Sequence, residues 1–432
     1  MFELLAYIPA LVRIATVFAF VLLLLRLKIH LGLSMLVGSV MMAVFFAMPP
    51  VDFFHAVRKG FFSEESLFLV FIVIGILILS SAMNQGGQIQ RIVDRFQNLV
   101  GASRITLVAF PAMIGLLPMP GGAVFSAPMV DAACESSDLS PTRKSIINYW
   151  FRHVWEYWFP LYPGVMLALL LSHLDPGRYV LHQLPMSLVA VLAGYMVILH
   201  SIRMKGERRF NVSPQAVGRF LWEMIPILLV VTSILVLTPL FRSITDKPHY
   251  SIFIKRFPYA IGLAAALIWT IRTCRIPLRN VGRLMVKRNV WGMVLLVLGL
   301  MVFRQTLEIS GAVDRLEQEL RAYHIPLVAV VAFLPFISGI VVGIAVGFVG
   351  LSFPTVLSLL ESAGITGKDL LPYVFLAYAW GYAGMMASPV HLCLLLTRDY
   401  FRAELWRIYR RHLLPLTALT LTASTLLFML YR

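Results

Sequence analysis

Arg152, His153 and Glu156 interrupt a stretch that is otherwise apolar and aromatic, NYWFRHVWEYWFPLYPGVMLALLL at 148–171. Charged groups in a lipid-facing helix cost about 2.5–3.5 kcal/mol each even on lenient insertion scales, so they persist where they pair or do work. Arg152 and Glu156 are four residues apart and share a helix face. His153 precedes Glu156 by three, on the adjoining strip. The chemistry open to them is contact between the Arg152 guanidinium and a substrate carboxylate, and proton uptake by Glu156 or His153. The plainer alternative is a structural ion pair that fixes a bent helix. The neighbouring Tyr149, Trp150, Trp155, Tyr157, Trp158 and Tyr162 read as interface anchors or packing.

A second set of candidates is small and polar. PMPGGAVFSAP at 118–128 contains Gly121, Gly122, Ser126 and Pro128, and AVGFVGLSFP at 345–354 contains Gly347, Ser352 and Pro354. Ser388 before Pro389 resembles a helix N-cap followed by proline at the first helical position. Pro128 and Pro354 read as helix breaks, Pro160 and Pro163 as breaks in the span that carries Arg152, and Gly381, Gly384 and Pro389 as interruptions of the span at 370–397. Half-helices starting at such places would expose free N–H groups and a partial positive charge, which suit an anion. Unwound carbonyls suit a cation. For a single serine, close helix packing is an equally good explanation. His391 reads as a packed histidine.

The elements that must position these residues repeat. At an offset of 226, Gly121 matches Gly347, Ser126 matches Ser352, Pro128 matches Pro354 and Pro163 matches Pro389. Upstream the offset slips by two, so that Pro111 meets Pro335, and GGQIQRIVDRF near 86–96 echoes SGAVDRLEQEL at 310–320. Apolar runs at 105–134 and 326–361 are too long for one crossing and short for two. They are rich in proline and glycine, and predict re-entrant hairpins, tolerated only against protein or a water-filled cavity. Broken spans follow at 144–172 and 370–397. The remaining apolar runs bring the expectation to an all-α polytopic membrane protein of ten transmembrane helices plus two hairpins. Residues 1–200 form one repeat, 201–220 a cytoplasmic linker and 221–432 a second repeat. Five crossings per half is odd, so the halves are inverted, as in secondary transporters.

Composition agrees. Of 432 residues 59% are hydrophobic and 13% charged, which excludes a soluble enzyme with one anchor. The net charge of +16 would suggest nucleic acid in a soluble protein. Here 23 of the 37 Lys and Arg fall on one set of connections, 272–288 among them, and 12 on the other, which includes 49–65; this makes the richer side cytoplasmic and places both termini outside. The basic loops are then orientation signals and contacts for membrane lipids, with no nucleic-acid partner. Cys134, Cys274 and Cys393 are far apart and form no metal-binding spacing, so no metal or other cofactor is expected. A GxxxxGK[ST] loop, HExxH, a serine elbow and a TVGYG filter are all absent, which argues against ATP-driven transport, an intramembrane enzyme and a channel.

With the hairpins, broken spans and PMPGGAVFSAP in view, the chain resembles the ion transporter superfamily of divalent-anion/sodium symporters, citrate and gluconate carriers and arsenite permeases. Within it, the chain is most similar to an uncharacterised integral-membrane family, domain of unknown function 401. The resemblance implies a homodimer in the cytoplasmic (inner) membrane, a scaffold of early spans, and a transport domain that moves as an elevator. The Ser-Asn-Thr motif of sodium/dicarboxylate members is replaced here by Ser-Ala-Pro and Ser-Phe-Pro. The expected function is secondary transport of a small organic anion coupled to H+ or Na+. The substrate-binding residues would be Gly121, Gly122, Ser126, Arg152, Gly347, Ser352 and Ser388, with His153 and Glu156 for the coupling ion. The alternative is translocation of a lipid or lipid-linked phosphate.

Overall fold

The structure, a computed structural model, describes residues 8–99, 104–116, 122–134, 139–202, 213–245 and 252–432. It is all-helical, with 83% of residues in helices and no strand among the described residues. Among the described residues, six helices are long and apolar enough to cross a membrane, and seven more are apolar but only 10–17 residues long. The protein is therefore membrane-embedded, as its apolar content requires.

The first half opens with α1 (Ala10–Arg26), α2 (Leu31–Phe45), α3 (Pro50–Phe62), α4 (Glu64–Gln85) and α5 (Gln88–Leu99). It continues with α6 (Arg104–Gly115), α7 (Ala123–Ala133), α8 (Pro141–Arg152), α9 (Pro163–Ser172) and α10 (Pro176–Gly194). Then come α11 (Pro214–Thr232), α12 (Thr238–Thr245), α13 (Ile252–Lys255), α14 (Phe257–Thr273) and α15 (Leu278–Met285). The last third holds α16 (Arg288–Ile309), α17 (Ala312–Ala322), α18 (Leu327–Val342), α19 (Ala345–Ser362) and α20 (Leu370–Met386), followed by α21 (Leu392–Phe401), α22 (Leu405–Ile408) and α23 (Leu414–Tyr431).

Two connections expected from the sequence are themselves helical. Residues 50–62 form α3, started by Pro50 and ended where Ser63 turns extended and accepts from the Ser66 N–H at 3.3 Å, capping α4. The basic stretch 272–288 holds the short amphipathic α15.

Several elements recur in the same order. Helices α4 and α16 are both 22 residues long. Each is followed by a glycine in the left-handed region, Gly87 (φ 65°) or Gly311 (φ 65°), and then by an amphipathic helix, α5 or α17. A side chain at either glycine would be strained, so glycine sets both turns. Helix α17 also closes the start of α1, where the Glu319 carboxylate accepts from the Ala10 and Leu11 N–H groups at 2.5 and 2.8 Å. Arg13 in α1 is buried, donates to the Phe45 carbonyl at 3.0 Å and stacks over Phe46.

Several helix pairs approach backbone to backbone, two of them through a pair of glycine contacts. A Cβ at Gly32 would overlap the Leu295 carbonyl and one at Gly299 the Gly32 carbonyl, which joins α2 to α16. A Cβ at Gly339 would overlap the Gly381 carbonyl and one at Gly384 the Phe336 carbonyl, which joins α18 to α20. Where α16 meets α19 the contact is of another kind: the flexible end of Leu300 lies against Gly350. At one rim, His173 after α9 pairs with Glu65 at the start of α4 at 3.0 Å, and Glu65 meets Arg304 on α16 at 3.1 Å.

Candidate functional site

Of the proline- and glycine-rich segments, 326–361 folds as helix, break, helix, with α18 and α19 packed around Gly343 and Ile344. In 105–134, α6 and α7 pack together, and residues 117–121 between them lie outside the described residues. Gly343 is left-handed (φ 69°), and a Cβ there would stand 2.9 Å from the Ser388 hydroxyl. The span at 144–172 breaks between α8 and α9, and the span at 370–397 breaks between α20 and α21. Pro160 and Pro389 lie in these breaks, and Pro163 is the first residue of α9.

The sequence expectations need three corrections. Pro128 and Pro354 lie inside α7 and α19 and break neither. The lost hydrogen bond is outweighed by packing: α19 is buried without interruption from Ala345 to Val356. Helix α21 begins at Leu392 with His391 at its N-cap, so Ser388 and Pro389 precede it by a turn. Gly381 and Gly384 do not interrupt α20 but let α18 approach it.

Arg152, His153 and Glu156 lie at the end of α8 and in the turns that follow, all buried. They meet the second broken span there. Arg152 Nη1 lies 3.3 Å from His153 Nε2 and 3.4 Å from Cys393 Sγ. His153 Nε2 lies 3.8 Å from the Glu156 carboxylate. The His153 and His391 rings pack edge to face with centroids 4.9 Å apart, and both pack on Tyr149. The Tyr149 hydroxyl donates to the Met386 carbonyl at 2.8 Å, across the two breaks.

The carbonyls freed by the first break are answered by tyrosines of the second span. Tyr378 donates to the Glu156 carbonyl at 2.9 Å and Tyr382 to that of His153 at 2.6 Å. Tyr162 donates to the Gly115 carbonyl at the end of α6. A break this deep is tolerated because its polar groups are paired within the protein.

Three helix starts gather here. Gly164 on the first turn of α9 lies against Ala345, the first residue of α19, and the lead-in to α21 lies against Gly343. Ser388 donates to the Ile340 carbonyl at 2.5 Å and accepts from the Val390 N–H at 3.3 Å. Gly347 sits on the first turn of α19, while Ser352 is two turns along and bonds back to the Phe348 carbonyl at 2.7 Å. Gly122 precedes α7, and Ser126 points its hydroxyl at the Gly122 and Ala123 carbonyls of that helix. Gly121 lies outside the described residues.

Asn148, His391 and Cys393 join the site, although no role for Asn148 or Cys393 is legible in the sequence. Asn148 is fully buried and donates to the Ala123 carbonyl at 3.1 Å and to Thr397 at 3.0 Å, tying α8 to α7 and α21. Its Oδ1 meets no donor among the described residues. An asparagine in an apolar run was the available signal. Cys393 could be found only by knowing that the two broken spans cross.

Such a centre, sealed between two broken helices of an all-α bundle, defines a membrane-embedded protein with a polar core. The chain belongs to the family described as Protein of unknown function (DUF401), which it matches over residues 10–430. No curated protein matches it significantly.

Proposed function

We propose that the protein is a secondary active transporter of a small organic anion, coupled to H+ or Na+. The observation that carries this proposal is the crossing of two broken spans at one buried set of charges, Arg152 and Glu156 with His153 between them. A permanent break beside buried charges is costly, and a substrate site accounts for it more directly than packing does. The ten crossings, two re-entrant hairpins and inverted halves belong to the same proposal, with both termini outside the cytoplasm. So do a homodimer and elevator movement of α6–α9 and α18–α21 against the remaining helices. The gathered starts of α9, α19 and α21 supply N–H groups for an anion, and Arg152 supplies the charge.

Purified protein screened by thermal shift against organic anions, inorganic phosphates and lipid head groups, with and without sodium, tests the substrate class. Stabilisation by small carboxylates supports the proposal, and stabilisation by lipid phosphates alone replaces it with lipid translocation. In proteoliposomes, Glu156→Gln is expected to abolish pH-driven uptake and to retain exchange. Unchanged pH dependence would point to sodium. Arg152→Lys is expected to weaken anion binding roughly tenfold or more, because a bidentate fork is lost. Unaltered binding would return Arg152 to a structural role.

A further inference from the structure

We propose that His153, His391 and Cys393 form a binding site for a borderline-to-soft metal ion of the Zn2+ class, which competes with the Arg152 guanidinium. One ligand atom from each of the three residues lies within 4.8 Å of the other two, and all three side chains are buried.

The hydrogen bonds fix which atoms are available. His153 Nδ1 lies 2.6 Å from the Tyr149 carbonyl, which can only accept, so Nδ1 carries the proton and Nε2 keeps a lone pair. His391 Nδ1 lies 3.2 Å from the Met385 carbonyl, so its Nε2 is bare as well. The Tyr149 hydroxyl spends its proton on Met386 and can accept a second bond from the same His391 N–H, at 3.2 Å. Imidazoles anchored through one N–H to a backbone carbonyl, with the other nitrogen facing a shared centre, are the usual outer support of metal ligands. Two imidazole nitrogens and a thiol select Zn2+ or Cu+ over Mg2+ or Ca2+.

Arg152 already fills the cation's place. Its Nη1 bridges His153 Nε2 and Cys393 Sγ, the same lone pairs a metal would take. A metal ion would displace that contact, with Arg152 turning toward Glu156, whose charge it already feels. Zinc bonds of about 2.1 Å to nitrogen and 2.3 Å to sulfur set tetrahedral ligands roughly 3.6 Å apart, so the cluster must close by roughly 1 Å. His153 caps the end of α8, His391 caps the start of α21 and Cys393 lies on its first turn, so the shift falls at helix ends, where it is least costly. Binding releases one proton, from the Cys393 thiol. Because His153 belongs to the first broken span and His391 and Cys393 to the second, a bound ion would clamp the two together.

The centre is the one proposed for substrate, but metal binding is read without transport, so either proposal can fail alone. Purified full-length protein would be titrated with Co2+ as a spectroscopic stand-in for Zn2+, then back-titrated with Zn2+. One Co2+ per chain with a thiolate charge-transfer band is expected. Cys393→Ser should remove that band, whereas Cys134→Ser and Cys274→Ser should keep it. Arg152→Met should tighten binding about tenfold by removing the competing cation, an effect that loss of fold cannot imitate. Absence of binding at micromolar Co2+ in both the natural protein and Arg152→Met would overturn the proposal. So would a band that survives Cys393→Ser.

Discussion

Tyr378 and Tyr382 hold the first broken span open from the far side, and their hydroxyls set its stability. Removing the Tyr378 hydroxyl leaves the buried Glu156 carbonyl without its donor, at a cost of about 1–3 kcal/mol, whereas the His153 carbonyl keeps the Glu156 N–H at 3.1 Å when the Tyr382 hydroxyl is removed. Tyr378→Phe is therefore expected to lower the melting temperature in detergent while the fold is retained, and Tyr382→Phe to lower it less. Unchanged melting of Tyr378→Phe would mean that water already serves the Glu156 carbonyl. At this scale the sequence was partly legible. Arg152, His153 and Glu156 stood out because charge in an apolar run is rare, and the structure buries them together. Cys393 did not, because it comes within 3.4 Å of Arg152 from 241 positions away and nothing local marks it. Asn148 was passed over because asparagine at the head of an aromatic run looks like a boundary, whereas it is buried and bridges three helices.

Among the elements, glycine separates positions that need closeness from positions that do not. A Cβ at Gly384 would meet the Phe336 backbone, which cannot swing aside, whereas nothing lies within 4 Å of one at Gly218 in α11. Gly384→Ala is expected to lower the melting temperature by several degrees. Gly218→Ala should raise it slightly, since alanine is favoured over glycine in a helix by roughly 0.5–1 kcal/mol. Equal responses would place Gly384 outside the tight contact. The broken helices were readable from clustered proline and glycine, and Pro160, Pro163 and Pro389 marked breaks correctly, but not every proline did. Pro128 and Pro354 look disruptive one residue at a time, yet both are carried inside helices. The turn between α18 and α19 falls instead at Gly343, through its left-handed backbone. Tertiary burial decided between them, and a local pattern does not contain it.

For the whole molecule, apolar content predicted the membrane, while α3 and α15 were hidden in stretches polar enough to pass for loops. The uneven distribution of Lys and Arg makes a directional prediction. Arg279 on α15 and Lys368 between α19 and α20 are both exposed. In sealed right-side-out vesicles, an impermeant maleimide should label Lys368→Cys and spare Arg279→Cys until the membrane is opened. The reverse pattern would invert the orientation. The glycine contacts carry a mechanical consequence as well. Where backbone rests on backbone, as in α2 with α16 and α18 with α20, the parts are welded: sliding by a fraction of a turn drives carbonyls into each other. Where α16 faces α19 the bearing surface is the end of a leucine, which can change rotamer and let its neighbour pass. The His173–Glu65 tie at the rim is half-exposed and weak enough to part. If the proposed transport moves one of these stiff pairs against the other, the leucine contact is where they would shift first, and the ties of His173 to Glu65 and Arg256 would have to part.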